Sequence, residues 1–396
     1  MPAAETIASS GFPLGFKVRS GSVRPGVVVG SSGREVFKVE ARHLSGNHQK
    51  EAVVTEGDLG SSWRMVSDEG VHIKGDDLAP FPLGFFNAGL QADLANRLRF
   101  FAHARGIALE DVTISCRTGY SMTGAFYRGD GVGYADPANI TVAVKSASSA
   151  ATIAALVADA VHASPALAAM RSPLENTFAI YVNGQRRAVT TLPDAGGADA
   201  ADPLKTYASV PAPLAGTNAL PDLILKTGQK REGTPTLTAP AATPGQRIVR
   251  QVAGTCYANN DGTTRTDVAL QLPGMSHFAI QSDESATDRA PSGLALISAG
   301  IAFCYMTQLS RYIDYMKYKI RQVRLVQYNP YSFDGTSGTS EPVATHLFLH
   351  GDESDETHEK FMRISAMTCF LHATLKAALT SGITVELNGV TLLNNI

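Results

Sequence analysis

Cysteine is scarce in this chain: 396 residues hold four, Cys116, Cys256, Cys304 and Cys369, and no two stand in a CxxC pair. That spacing excludes the paired-thiol patterns of zinc ribbons and thioredoxin motifs, and no framework of structural disulfides is expected. Net charge is nearly absent too, at −2, with 18% charged residues, so no overall field favours nucleic acid or an anionic membrane. No run of about eighteen residues is free of polar side chains. Met1 to Ser10 carry neither the basic segment nor the apolar core of a signal peptide. These absences lead us to expect a soluble, cytoplasmic protein with no nucleic-acid or membrane partner and no metal site or bound cofactor.

What is present is an apolar stretch, Ala290 to Leu309, with a proline near its start and apolar residues on nearly every side. It reads as a buried helix, a pillar of the core. Cys304 lies about three turns inside it, among the small residues Ala299, Gly300 and Ala302. Before it, residues 1–78 hold β-type runs (Val27-Val28-Val29, Val36 to Val39, Glu51 to Val54) between Gly and Asn clusters, which predicts a meander of strands. A helix is expected from Pro80 to about Arg105, closed by Gly106, then a strand from Asp111 to Cys116. Gly129-Asp130-Gly131-Val132-Gly133 lacks the full phosphate-loop fingerprint and opens no helix, so a hairpin or loop tip is expected there. Asn139 to Lys145 reads as a strand, Ser148 to Met170 as an Ala-rich helix, and Phe178 to Val182 as a strand. Residues 185–245, rich in Pro, Ala, Gly and Thr, read as a linker or extended arm.

The second half repeats the first. Sliding Ala79–Ser121 by 211 positions onto Ala290–Ser332 needs no gap and gives nine identities, among them Pro80/Pro291, Leu83/Leu294, Gly89/Gly300 and Tyr120-Ser121/Tyr331-Ser332. Ser67-Asp68-Glu69 answers Ser282-Asp283-Glu284, and an offset of 205 places Asn183-Gly184 on Asn388-Gly389. The reading is a tandem duplication with repeats at 1–184 and 246–396, an internal pseudo-dimer. Under these offsets Cys304 falls opposite Asp93 and Cys369 opposite Ser164, so one half alone keeps a cysteine in each of its two helices.

Strands, a long apolar helix with one cysteine, strands, a second helix with another cysteine and a final strand: this order resembles the OsmC/Ohr family of osmotically induced and organic-hydroperoxide-resistance proteins. Ala299-Gly300 ahead of Cys304 is similar to the family's first cysteine segment, and Ala163-Ser164-Pro165 to its Cys-Pro segment with Ser in place of Cys. Cys369-Phe370 keeps the Cys and loses the Pro. The resemblance implies an α+β fold in which central long helices are wrapped by antiparallel sheets. It also implies a thiol-dependent organic hydroperoxide reductase, with Cys304 attacking the peroxide, Cys369 resolving, and an external lipoyl-type dithiol as reductant. Family members set an Arg held by a Glu beside the first cysteine. Glu284 matches the Glu best, and Arg250, Arg265 or Arg42 could serve as the Arg.

Other readings of the same residues stay open. His372, three residues after Cys369, could pair with a thiol in a cysteine hydrolase acting on a small organic molecule between the halves, with Asp93 as base or orienting carboxylate. A redox sensor needs only the thiols. His346 and His350 share one face of a strand beside an acidic run, a weak metal signal. Cys116 and Cys256 have no counterparts and read as structural. Further association of chains is left open.

Overall fold

The computed structural model describes residues 5–125, 128–209, 211–238 and 246–394. The first half opens with the helical turns α1 (Ile7–Ser10) and α2 (Gly26–Val29), between and after which run β1 (Gly15–Arg19), β2 (Gly33–His43), β3 (Lys50–Glu56) and β4 (Ser62–Ser67). The long α3 (Pro82–Ala104) follows, then β5 (Asp111–Thr123), β6 (Val132–Ala135) and β7 (Asn139–Lys145). Helices α4 (Ala150–Ala163) and α5 (Pro165–Arg171) precede β8 (Thr177–Val182) and β9 (Gln185–Arg187). The second half brings β10 (Ile224–Lys230), β11 (Ile248–Ala258), β12 (Thr263–Leu270) and β13 (Ser276–Asp283), then α6 (Gly293–Met316). It ends with β14 (Ile320–Phe333), β15 (Gly338–Ser340), β16 (Ala344–Gly351), α7 (Asp355–Thr368), α8 (Phe370–Lys376), β17 (Gly382–Leu387) and β18 (Val390–Asn394). From the four-strand meander onward the two halves follow the same succession.

The fold is α+β, with two nine-stranded sheets that each draw on both halves. One runs β1-β4-β3-β2-β14-β16-β8-β9 with β15 on β14, and the other β10-β13-β12-β11-β5-β7-β17-β18 with β6 on β5. The sheets are mixed, not purely antiparallel, because β8 pairs β16 and β17 pairs β7 in parallel. Both parallel pairs join strands from opposite halves, because β7 leads through α4 and α5 to β8 in the other sheet and β16 leads through α7 and α8 to β17. One core is continuous through both halves. Helix α6 packs on β2, β3 and β14, and α3 on β11, β12 and β5, so each long helix lies under the meander of the opposite half.

Several local expectations change. Val27-Val28-Val29 forms the helical turn α2, not a strand: Gly30 closes it in the left-handed region, and Asn96 Nδ2 holds the Val28 carbonyl at 2.6 Å. The Ala-rich helix is broken at Ser164, which is extended, caps α5 and precedes Pro165. Proline has no N–H to continue the ladder, and it pushes the residue before it out of the helical region. Cys369 makes the same break between α7 and α8 without a proline. Residues 185–245 hold the strands β9 and β10, the latter paired with β13, while Tyr207 is buried and its hydroxyl donates to the Glu40 carbonyl at 2.6 Å. Gly129 to Gly133 lead into β6, which forms a hairpin with β5; Phe126 and Tyr127, in the same loop, lie outside the described residues.

Helices α3 and α6 cross with backbone nearly on backbone. A Cβ placed on Gly89 would lie 2.4 Å from the Gly293 oxygen and 2.9 Å from the Ile297 nitrogen. One placed on Gly300 would lie 3.0 Å from both the Pro82 oxygen and the Phe86 nitrogen, the same contact with the partners exchanged. Replacing a mid-helix glycine by alanine ordinarily stabilises by about 1 kcal/mol. Here it must push two backbones apart, which costs about 1–3 kcal/mol. Gly89→Ala is therefore expected to lower stability; a urea midpoint equal to or above wild type would show that the crossing is looser than this.

Candidate functional site

The apolar helix α6 carries one polar stripe: Cys304, Thr307, Gln308 and Arg311, at the spacing of one helix face. All four line a small cavity of about 40 Å3, with Glu69, His72 and Arg250 as its other polar walls and Phe81, Leu83, Met122, Leu270 and Phe370 among its apolar ones. Cys304 and Cys369 are both buried and neither is in a disulfide. Their thiols lie close enough to interact, although 65 residues of chain separate them. Burial first and this thiol neighbour second push the Cys369 thiol well up, while the Leu371 and His372 amides act in the opposite sense. Cys369 therefore remains protonated.

The carboxylate beside Cys304 is Glu69, from the first half. Thr307 Oγ1 donates to its Oε1 at 2.6 Å, and the Lys50 ammonium lies 3.5 Å from the same oxygen. Lys50 is completely buried; burial loosens its proton, and Glu69, Asp68 and Cys304 hold it in place. Arg311 and Arg250 complete the cationic side. Burial, then the charge of Arg311, lowers Arg250 to about 10, with Glu69 opposing. Lys50, Thr307 and Arg311 were missed in the sequence. The helical spacing of Thr307 and Arg311 from Cys304 was a signal for two of them; Lys50 gave none.

Glu284 lies elsewhere, which corrects the expectation that it flanks Cys304. Its Oε1 accepts the Gly293 N–H at 2.5 Å at the start of α6, and its Oε2 faces Asn96 Nδ2 at 3.4 Å. The reason is the exchange of strands: the meander ahead of α6 covers α3, and the meander ahead of α3 covers α6. Around Glu284 the first half assembles Asp93 and Ser164, whose hydroxyl donates to Asp93 Oδ2 at 2.5 Å, with Arg97 3.3 Å from Asp93 Oδ1. Where the second half sets two thiols, the first has a buried ion pair and a hydroxyl.

The remaining candidates are dispersed. Arg265 is half-exposed against Asp267, and Arg42 pairs with Glu5 and Glu51. His372 is buried against Tyr305 and Phe178, is lowered to about 4 by burial, and lines a separate cavity of about 270 Å3 with Phe178 and Met367. His346 meets the Tyr181 hydroxyl at 3.2 Å on another sheet face. Cys116 and Cys256 are buried, and burial raises their thiols to about 12 and about 11.

No protein-family model matches the chain, and no curated protein matches it. Among solved structures, an OsmC-like hydroperoxide resistance protein from Jannaschia sp. CCS1 is similar at 23% identity, covering 35% of this chain and 93% of its own, with a TM-score of 0.25. At that score the likeness carries no weight beyond its own report.

Burial, and then the charge of Asp93, raise the Glu284 carboxyl from its ordinary 4.5 to about 7. The folded chain then keeps a proton that the unfolded chain has lost, so this group's stabilisation is full below about 4.5 and declines as pH rises through 7. The loss reaches about 3 kcal/mol at most. Glu284→Gln keeps the acceptor for Gly293 and removes the ionisation, so its stability relative to wild type should grow between pH 4.5 and 8. Urea unfolding at both ends of that range checks this; a constant difference would refute it.

Proposed function

We propose that the chain is a tandem two-repeat protein of the OsmC/Ohr type, with repeats at 1–184 and 246–396 forming an internal pseudo-dimer. We read its activity as thiol-dependent reduction of an organic hydroperoxide by Cys304 and Cys369. The observation that carries this reading is the contact of the two thiols at a cavity with apolar walls and two guanidinium groups. A thiolate at Cys304 attacks the outer peroxide oxygen, the O–O bond breaks, and the alkoxide takes a proton and departs as an alcohol. The resulting Cys304 sulfenic acid condenses with the Cys369 thiol, releasing water and leaving a disulfide. An external dithiol of lipoyl type restores both thiols by exchange and is itself oxidised to a disulfide.

The surroundings suit each step. Arg250 and Arg311 offer positive charge to the thiolate and to the departing alkoxide, as buried cations require anionic company. Phe81, Leu83, Met122, Leu270 and Phe370 suit the organic part of a hydroperoxide. The protonated Cys369 is already in contact with the sulfur it must join. Reduced thiols also fit a cytoplasmic protein. The hydrolase reading loses support because His372 faces another cavity and stays neutral. An imidazole there does not activate Cys304.

The test is reaction of the reduced protein with cumene hydroperoxide and with hydrogen peroxide, followed by mapping of thiol states by mass spectrometry. Wild type should form the Cys304–Cys369 disulfide, faster with the organic peroxide, and turn over with a dithiol. Cys369→Ser should stop at a trappable sulfenic acid on Cys304, and Cys304→Ser should leave Cys369 reduced. Both thiols remaining reduced in intact wild type would end the peroxidase reading, whereas a single oxidation without turnover would favour a sensor.

A further inference from the structure

The connection between the halves returns to the cavity that holds Cys304. A groove of about 670 Å3, lined by His48, His72, Ile73, Lys74, Leu237, Thr238, Arg311 and Tyr315 among others, shares His72, Ile73 and Arg311 with that cavity and so adjoins it. Thr238 is pinned at this junction. Its N–H donates to the His72 carbonyl at 2.7 Å, and its Oγ1 accepts from Arg250 Nη2 at 2.5 Å.

Arg250 needs that hydroxyl. Its guanidinium is buried, and among the described residues its other hydrogen bond, at 2.7 Å, goes to the carbonyl of Val249, the residue before it. Among the described residues no carboxylate lies within 4 Å of it, and the Arg311 charge repels it. Glu69 attracts it from beyond contact, engaged with Thr307 and Lys50. A buried cation that lines one cavity with a second cation and a thiol, and has no carboxylate of its own among the described residues, has a place for an anion. Among the side chains of the described residues, Thr238 fixes which way its fork points.

We propose that Thr238 is a positioning residue: it holds Arg250 against the repulsion of Arg311, so that the guanidinium faces the anion formed at Cys304, and the connecting segment thereby becomes part of the site. This rests on the reading of Cys304 as the reacting thiol, but not on the peroxide being its substrate.

The experiment measures site-resolved alkylation of Cys304 by iodoacetamide across pH 5 to 10 in full-length wild type, Thr238→Val and Thr238→Ser, each also in an Arg250→Met background, with melting temperature as control. Valine matches threonine in shape and lacks the hydroxyl. It should raise the pH midpoint of alkylation by about half to one unit, the scale of one weakened charge contact, with the melting temperature unchanged. Serine should restore the midpoint, and neither change should matter once Arg250 is methionine. Equal midpoints in wild type and Thr238→Val, or an equal shift in both backgrounds, would overturn the proposal and leave Thr238 as a structural contact. Hydroperoxide consumption measured on the same variants separates the two claims. A midpoint that shifts in a protein inert to hydroperoxide refutes the peroxidase reading alone; peroxide turnover with unmoved midpoints refutes the positioning role alone. Absence of alkylation at Cys304 in every variant, together with no hydroperoxide consumption, refutes both.

Discussion

The rest of the structure depends on the close crossing of α3 and α6. Glycines at 89 and 300 bring two buried helices to backbone contact, and atoms at that range exclude any side chain from between them. Each helix then sends its remaining side chains outward, to a sheet and to the shorter helices of its own half. Because each sheet joins a meander from one half to strands from the other, a residue on a long helix meets carboxylates and cations from distant chain. Cys304 and Glu69 are neighbours for that reason.

The same frame carries two chemically different interiors. Helix positions 211 apart face carboxylates 215 apart: Thr307 bonds Glu69 as Asn96 faces Glu284, and Cys304 stands where Asp93 does. In the first half Asp93 is neutralised by Arg97 and by the Ser164 hydroxyl, a set of buried groups that satisfy one another. Buried ion pairs of this kind contribute little net stability, yet removing one partner alone is costly. In the second half Cys304 lines a cavity of about 40 Å3 together with the guanidinium groups of Arg250 and Arg311.

The connecting segment departs furthest from its appearance in the sequence. Its composition is that of a flexible arm, but β10 extends a sheet, Tyr207 packs under the Arg42 guanidinium, and Asp202 takes a two-pronged contact from Arg324 at 2.7 and 2.8 Å. Tertiary contacts supplied order that local periodicity did not.

By itself the sequence determined the α+β class, the strands from Val36 onward and both long helices, because periodicity and glycine and proline placement are local signals. It also held the polar stripe Cys304, Thr307, Gln308 and Arg311, visible as spacing on one helix face. Only the tertiary structure decided that Glu69 and not Glu284 accompanies Cys304, that Lys50 is buried there, and that Arg250, of the three arginines considered, lines the cavity. Strand exchange between halves is a choice among distant pairings whose local hydrophobic patterns are the same. The physical reason is that a strand's alternation fixes which face it buries, while the partner it buries that face against is set by the whole chain.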